Sequence, residues 1–361
     1  PSTEATIVLD AQWEAIAQFP LTNLTQAAQP KNLSYIVYTS GSTGKAKGVM
    51  IEHRSLVNAY FAWQEAYDLK RLSSHLQMAS FSFDVFTGDW VRALCSGAQL
   101  VLCPNEYLLE PQQLYALMQT TAIDAAEFSP AVVRLLLQYL HQTQQNLDFM
   151  RLLVVGSDTL NVEDYRQLQT LCGSPTRVSN SYGLSEATID STYIESPSLD
   201  LPDEGTVPIG RPFAYTQLHI LNPDLQPVPI GILGELYIGG MGLARGYWNR
   251  PELTQKRFLH EKRGKTAEAK EEPSILYRTG DLARYRDDGS VELLGRSDSQ
   301  VKLRGFRIEI GEIEAVLSEH PAVQAGVVVL RDDLAGGAQL VAYVVADKNE
   351  DQDLLRPFIK D

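Results

Sequence analysis

Cysteine is scarce. Cys95, Cys103 and Cys172 are the three present, an odd number without CxxC spacing. That argues against a disulfide framework and leaves buried free thiols in a reducing compartment as the expectation. Long apolar runs are missing as well. No stretch approaches the roughly 20 apolar residues of a membrane span, and no cleavable apolar leader opens the chain, so a cytoplasmic location is expected. Basic residues are in deficit: 31 Lys and Arg against 45 Asp and Glu give a net charge of −14. Such a chain repels phosphate backbones, which argues against a nucleic-acid partner while leaving a local anion site open. Repeats and low-complexity tracts are absent too.

What is present is globular in texture. The 361 residues, 44% hydrophobic and 21% charged, suit one large domain or two to three subdomains. Ser34–Tyr38 is β-branched and aromatic and reads as a buried strand. His53–Tyr67, Tyr115–Thr121 and Ala131–Leu140 have helical spacing, and Gln99–Cys103 and Arg151–Val155 read as strands. Strands alternating with helices imply βαβ units and a largely parallel sheet, an α/β class. After about Gly205, glycines, prolines and short alternating runs such as Leu218–Leu221 and Gly234–Ile238 point to a smaller β-rich unit. His260–Pro273 is charged and aperiodic and reads as a surface loop. Beyond Asp298 an amphipathic helix, Glu309–His320, and two strands, Val323–Leu330 and Gln339–Val345, suggest a small α+β unit.

The first strand runs into Thr39-Ser-Gly-Ser-Thr-Gly-Lys-Ala-Lys-Gly48. Glycines let backbone N–H groups approach an anion, and hydroxyls and lysines add donors and charge, so this loop suits phosphate. It is not a Walker A loop, because Ala46 stands where that pattern, counted from Gly41, needs its second glycine.

Here the sequence resembles a known family. Tyr38-Thr-Ser-Gly-Ser-Thr-Gly-Lys-Ala-Lys-Gly-Val49 is similar to the signature loop of the adenylate-forming superfamily. Five further blocks follow in that superfamily's order: Phe83-Asp84, Asn180-Ser-Tyr-Gly-Leu-Ser-Glu186, Gly234-Glu-Leu-Tyr-Ile-Gly-Gly240, Tyr277-Arg-Thr-Gly-Asp281 and Gly295-Arg-Ser-Asp-Ser-Gln-Val-Lys-Leu-Arg-Gly-Phe-Arg-Ile-Glu309. The chain resembles the amino-acid adenylation domain of nonribosomal peptide synthetases in particular.

The resemblance implies an ATP-dependent ligase that forms an aminoacyl-AMP. It would then pass the acyl group to the phosphopantetheine thiol of a carrier domain, beside neighbouring synthetase domains and with a small activator protein as a further potential partner. It implies Thr39, Ser40, Thr43, Lys45 and Lys47 as loop donors. Glu186 would hold Mg²⁺, a hard cation that wants carboxylate and phosphate oxygens. Tyr182 would stack on adenine, Asn180 would read its edge, and Gly156, Ser157 and Gly183 would lie against the base. Asp281 would accept from the ribose hydroxyls, with Arg296 close by. Asp298 would be the hinge between a large part, residues 1–297 with its early portion missing, and the start of a small C-terminal subdomain, 298–361. Two departures stand out. Leu184-Ser185 replaces the commoner Pro-Thr before the glutamate, and the family's late Asn-Gly-Lys motif does not occur, so the resemblance implies an incomplete domain.

Asp84 separates the branches, since a carboxylate here would pair with an α-ammonium that acyl and aryl acids lack. Alone, it would equally suit a helix N-cap. An acyl- or aryl-CoA ligase and a catalytically inactive nucleotide-binding module are the alternatives. Alignment on the family's blocks implies a side-chain pocket of Asp84, Val85, Gly88, Glu127, Leu153, Val155, Ser181, Ile189 and Asp190. Gly88 would leave space, and Glu127 and Asp190 would be two acids in an apolar wall. They favour a basic amino acid such as ornithine, lysine, arginine or a shorter diamine. The bland alternative has Glu127 pointing away or met by a protein arginine such as Arg134, Asp190 capping a turn, and the pocket admitting an aromatic such as tyrosine.

Overall fold

The glycine loop joins two antiparallel strands, β1 (Leu33–Thr39) and β2 (Lys47–Glu52), in register from Tyr35 opposite Ile51 to Thr39 opposite Lys47, with an irregularity between Leu33 and Tyr35. The computed structural model describes residues 8, 10–22, 28–41, 46–174, 176–195, 201, 204–260, 275–303, 306–331 and 338–346, the side chains of 306 and 307 apart. A short helix, α1 (Trp13–Ile16), precedes the hairpin. The first strand differs from the sequence expectation. It lies on the edge of a three-stranded sheet completed by Gly246–Tyr247 on the far side of β2. An edge strand has one flank in solvent, and only Val37 of β1 is buried.

The parallel sheet follows. β3 (Ser74–Gln77), β4 (Gln99–Leu102), β5 (Ala125–Phe128), β6 (Leu152–Val155) and β7 (Arg177–Tyr182) pair in parallel, and β8 (Thr192–Glu195) and β9 (Arg211–Pro212) extend the sheet antiparallel. The order is β4-β3-β5-β6-β7-β8-β9. Helix α2 (His53–Tyr67) leads from β2 into this sheet, and α3 (Asp84–Cys95), α4 (Pro111–Thr120), α5 (Pro130–Thr143) and α6 (Val162–Leu171) supply the crossovers. Proline opens α4 and α5, where its missing N–H and fixed φ do no harm.

Period-two alternation decides what each face of the sheet touches. Leu152 and Val154 of β6 pack with Ala125, with Leu56 and Trp63 of α2 and with Val91 of α3. Leu153 and Val155 point the other way, into a core with Phe128, Met118 of α4, Leu136 and Leu140 of α5 and Tyr165 of α6. Each fully buried large side chain contributes about 1.5–3 kcal/mol by leaving water, so this three-layer arrangement is the main stabilising mass. Cys103 and Cys172 are buried as expected; Cys95, at the last turn of α3, is exposed.

The β-rich unit is an antiparallel sheet of β10 (Thr216–Leu221), β11 (Gly234–Gly240), β13 (Phe258–His260), β14 (Ile275–Tyr285) and β15 (Val291–Arg296). The pair Gly246–Tyr247, β12, and helix α7 (Pro251–Arg257) lie between its strands in sequence. Most of the charged segment expected as a surface loop, 261–273, falls outside the described residues. A hairpin, β16 (Gln300–Leu303) with β17 (Phe306–Glu309), leads to α8 (Ile310–Glu319) and a second hairpin, β18 (Val323–Arg331) with β19 (Gln339–Ala346). Ile310, Leu317 and Val328 form a small core of their own. No described helix is long and apolar enough to cross a membrane.

Candidate active site

Strand order reverses between β3 and β5, because the chain goes from β3 outward to β4 and returns on the other side. In open parallel sheets such a switch point leaves a crevice beyond the carboxyl ends of the strands. Asp84 begins α3 after β3, Glu127 is near the end of β5, Gly156 and Ser157 follow β6, and Tyr182 ends β7 with Gly183 next. The crevice contains two cavities that share Ser157, Gly183 and Lys302.

The larger, about 560 Å³, is lined by Ser157, Asn180, Tyr182, Gly183, Asp281 and Arg296. The Tyr182 hydroxyl donates to Asp281 Oδ2 at 2.5 Å. Arg296 Nη1 bonds Asp281 Oδ1, and its Nε reaches Asp298 Oδ1 at 2.8 Å. Asn180 Nδ2 donates to the Pro208 carbonyl at 2.9 Å. Burial alone would raise the Asp298 carboxyl, yet Arg296 and Arg257 hold it below its ordinary value. Gly183 is required by close approach: a Cβ would sit 1.7 Å from the Ile189 carbonyl oxygen.

Glu186 is fully buried and is in the wall of neither cavity. Lys47 Nζ stands 3.3 Å from its Oε1, and the Tyr247 hydroxyl donates to the same oxygen at 2.8 Å. Among the described residues no group of three His, Cys, Asp or Glu side chains could cage a metal. A single carboxylate already held by Lys47 and Tyr247 would serve magnesium only as one ligand among phosphate oxygens and waters.

The smaller cavity, about 320 Å³, is lined by Thr39, Ser40, Asp84, Val85, Glu127, Ile189 and Asp190, among others. Asp84 occupies the first turn of α3, whose N-cap is Phe83, so it is not the cap itself. Burial raises its carboxyl to about 6, with Asp190 and Glu186 adding to the rise and Ser185 and the Val85 N–H opposing it. Ile189 and Asp190 are delivered by a strained turn in which Thr188 (φ 60°) and Ile189 (φ 72°) are both left-handed. For β-branched residues that costs about 1–3 kcal/mol each.

At the floor, Arg92 of α3 meets three carboxylates: Asp89 at 3.0 Å, Asp190 at 3.3 Å, and Glu127. The Ser181 hydroxyl and Trp63 Nε1 also donate to Asp190, at 2.7 and 2.9 Å. Burial raises Asp89 to about 6 and Glu127 to about 8 against the pull of Arg92.

Comparison with known proteins places the chain in a family. The family described as AMP-binding enzyme matches residues 2–248. Gramicidin S synthase 2 of Brevibacillus brevis is 46% identical over 342 residues, covering 93% of this chain and 7% of that protein. Tyrocidine synthase 3 of Brevibacillus parabrevis is 45% identical over 344 residues, covering 95% and 5%. The chain thus spans under a tenth of the length of these relatives. Among solved structures, the Vibrio cholerae adenylation domain AlmE in complex with glycyl-adenosine-5'-phosphate aligns with a TM-score of 0.77 at 27% identity, covering 91% of this chain and 60% of that one. This chain belongs to the AMP-binding enzyme family.

Within that AMP-binding fold several sequence expectations need correction. Leu153 and Val155 do not line the pocket; they lie in the core on the opposite sheet face. Val154 is paired with Glu127 across the β5–β6 ladder, so these two share the pocket face. A one-residue shift in alignment exchanges the faces of a strand. Gly88 does not simply open space. A Cβ there would meet Arg92 Nη2 at 3.3 Å and Ile189 at 3.4 Å, so the room is already used. Arg134 does not meet Glu127 but pairs with Asp164 at 2.8 Å on the surface; a different protein arginine, Arg92, meets Glu127, as the alternative reading held. Thr43 and Lys45 lie outside the described residues. Sequence reasoning missed Asp89, Arg92, Trp63 and Tyr247. The signal for Arg92 was present: Asp84, Gly88 and Arg92 recur at i, i+4 and i+8, one face of one helix.

Proposed function

We propose that the chain activates an amino acid with ATP as an aminoacyl-adenylate, within a longer nonribosomal peptide synthetase. The carrying observation is Asp84, a buried acid in a cavity that adjoins the nucleotide-sized one. Among the described residues it makes no salt bridge, and its raised value marks a carboxylate short of a cation. An α-ammonium supplies that cation; an acyl or aryl acid would not.

In this reading the amino acid carboxylate oxygen attacks the α-phosphorus and pyrophosphate leaves. Thr39, Ser40, Thr43, Lys45 and Lys47 would steady the departing charge. Glu186 would hold Mg²⁺, which when bound neutralises phosphate charge. Tyr182 carries the base, and Asp281 with Arg296 orients the ribose. A carrier phosphopantetheine sulfur then attacks the acyl carbon and AMP leaves. Asp298 serves as hinge between a large part, 1–297, and a small one, 298–361, a reading supported by the separate core of Ile310, Leu317 and Val328.

The substrate class proposed is a basic amino acid. Three buried carboxylates face one guanidinium at the pocket floor. Arg92 neutralises only part of that charge, and a substrate cation would relieve the rest. The test is ATP–pyrophosphate exchange by the full-length protein across the proteinogenic amino acids and ornithine. Exchange should require an amino acid and be strongest with basic ones. Exchange without amino acid, or ADP as product, overturns the reaction; activity only with neutral amino acids overturns the substrate class.

A further inference from the structure

The floor of the amino-acid pocket is built around a cation of the protein's own. Arg92 is 4% exposed, and its guanidinium lies over the Trp63 ring, 4.9 Å from the centroid. Two glycines make room for its network. A Cβ at Gly88 would sit 3.3 Å from Arg92 Nη2, and one at Gly156 would sit 2.9 Å from Glu127 Oε1. Glu127 and Asp190 form part of the cavity wall; Arg92 is not in that wall but behind them, in contact with both.

We propose that Arg92 is a positioning residue that sets how long a cationic side chain the pocket accepts. It rests on the basic-substrate reading. The guanidinium fork holds Glu127 and Asp190 at the floor and fills the space beyond them. A substrate cation must therefore stop in front of the two acids, where both carboxylates attract it. Pushed deeper, it would meet a like charge. Ornithine or a shorter diamine satisfies this limit, and the longer, wider arginine does not. Lysine in place of Arg92 would keep the charge but not the planar, many-donor geometry that lets one side chain hold three acids.

The same arrangement gives a pH signature. The groups facing Glu127 are Asp89 and Arg92 of α3, Asp190 of the strained turn, Tyr67 of α2 and, through Arg92, His75 of β3. Burial and the two aspartates keep a proton on Glu127, and Arg92 opposes them. A basic substrate binds the ionised form, so its kcat/KM rises with pH until Glu127 has ionised. Without Arg92 that midpoint moves upward. A neutral substrate shows no such rise.

The experiment is pyrophosphate exchange by the full-length protein, wild type, Arg92→Met and Arg92→Lys. The substrates are 2,4-diaminobutyrate, ornithine, lysine, arginine and tyrosine, from pH 6 to 9, with folding checked by circular dichroism. Wild type should favour ornithine or the shorter diamine over arginine. In Arg92→Met the arginine-to-ornithine ratio of kcat/KM should rise about tenfold or more, the scale of discrimination set by a small change in pocket depth. Its midpoint for ornithine should move up in pH, with Arg92→Lys between the two. Wild type favouring arginine would overturn the proposal. So would variants that lose activity equally on all substrates with ratio and midpoint unchanged, as a merely structural residue would. If Arg92→Met does not fold, an unchanged ratio in Arg92→Lys overturns it alone. Wild type active only with neutral amino acids removes the basic-substrate reading and the proposal together.

Discussion

The two cavities, proposed for nucleotide and for amino acid, hold their charges in opposite ways. Around the first, Asp281 and Asp298 share Arg296, and Arg257 adds a second guanidinium 3.5 Å from Asp298. Acids and cations are matched, and Asp298 stays below its ordinary value. In the second, Asp89, Glu127 and Asp190 share Arg92 alone among the described residues, and Asp89 and Glu127 are raised. A matched network is already satisfied and serves to hold a shape. A network with surplus acid is unsatisfied until a cation arrives, which suits it to selecting one.

The comparison breaks most visibly at Glu127. Removing one partner of a buried ion pair costs about 3–5 kcal/mol, so Glu127→Gln should lower pyrophosphate exchange with a basic substrate by roughly two to three decades while sparing neutral ones. An unchanged ratio would place the selecting charge elsewhere. On the matched side, Asp281→Ala should raise the ATP requirement by roughly one to two decades, from about 1.5–3 kcal/mol for hydrogen bonds to a charged group. It should do so equally for every amino acid. An ATP titration that does not move would remove Asp281 from ribose binding.

Strand β6 sharpens the contrast within a single element. Val155→Ala empties core space and should lower stability by about 1.5–3 kcal/mol without altering substrate preference. Gly156→Ala pushes on Glu127 Oε1 and should instead reduce kcat/KM for the basic substrate, with a smaller change in stability. Denaturant melts and exchange rates on the two variants separate these outcomes.

The smallest effect is on stability against pH. Asp84, Asp89 and Glu127 all have folded-state values above their ordinary ones, by burial first. Through these three groups the folded state binds more protons than the unfolded state from about pH 4 to about 8, so their contribution to stability falls as pH rises through that window; His75, lowered to about 4 by burial, offsets part of the fall between about pH 4 and 6.5. Melting temperature should drop by about 2–4 °C for each kcal/mol lost. Glu127→Gln should flatten the slope, most of all between pH 6 and 8, and scans in buffers of matched ionic strength would show whether it does.

Sequence alone determined the class of the fold and the short blocks whose residues line the larger cavity. The α/β alternation and helices such as His53–Tyr67 follow from local periodicity. Asn180, Tyr182, Gly183, Asp281 and Arg296 sit in short ordered blocks, where neighbours in sequence remain neighbours in space. The edge position of β1 was not legible, because a β-branched run reads alike whether one or both flanks are covered. The pocket floor was legible only in part. Period two says that Val154 and Val155 face opposite ways, but not which face meets α2 and α3 and which meets α5. Arg92 reads in sequence as one more helix charge. Only the tertiary structure brings it from α3 to Glu127 on β5 and Asp190 beyond β7, since long-range packing alone decides which buried acids must share a single cation.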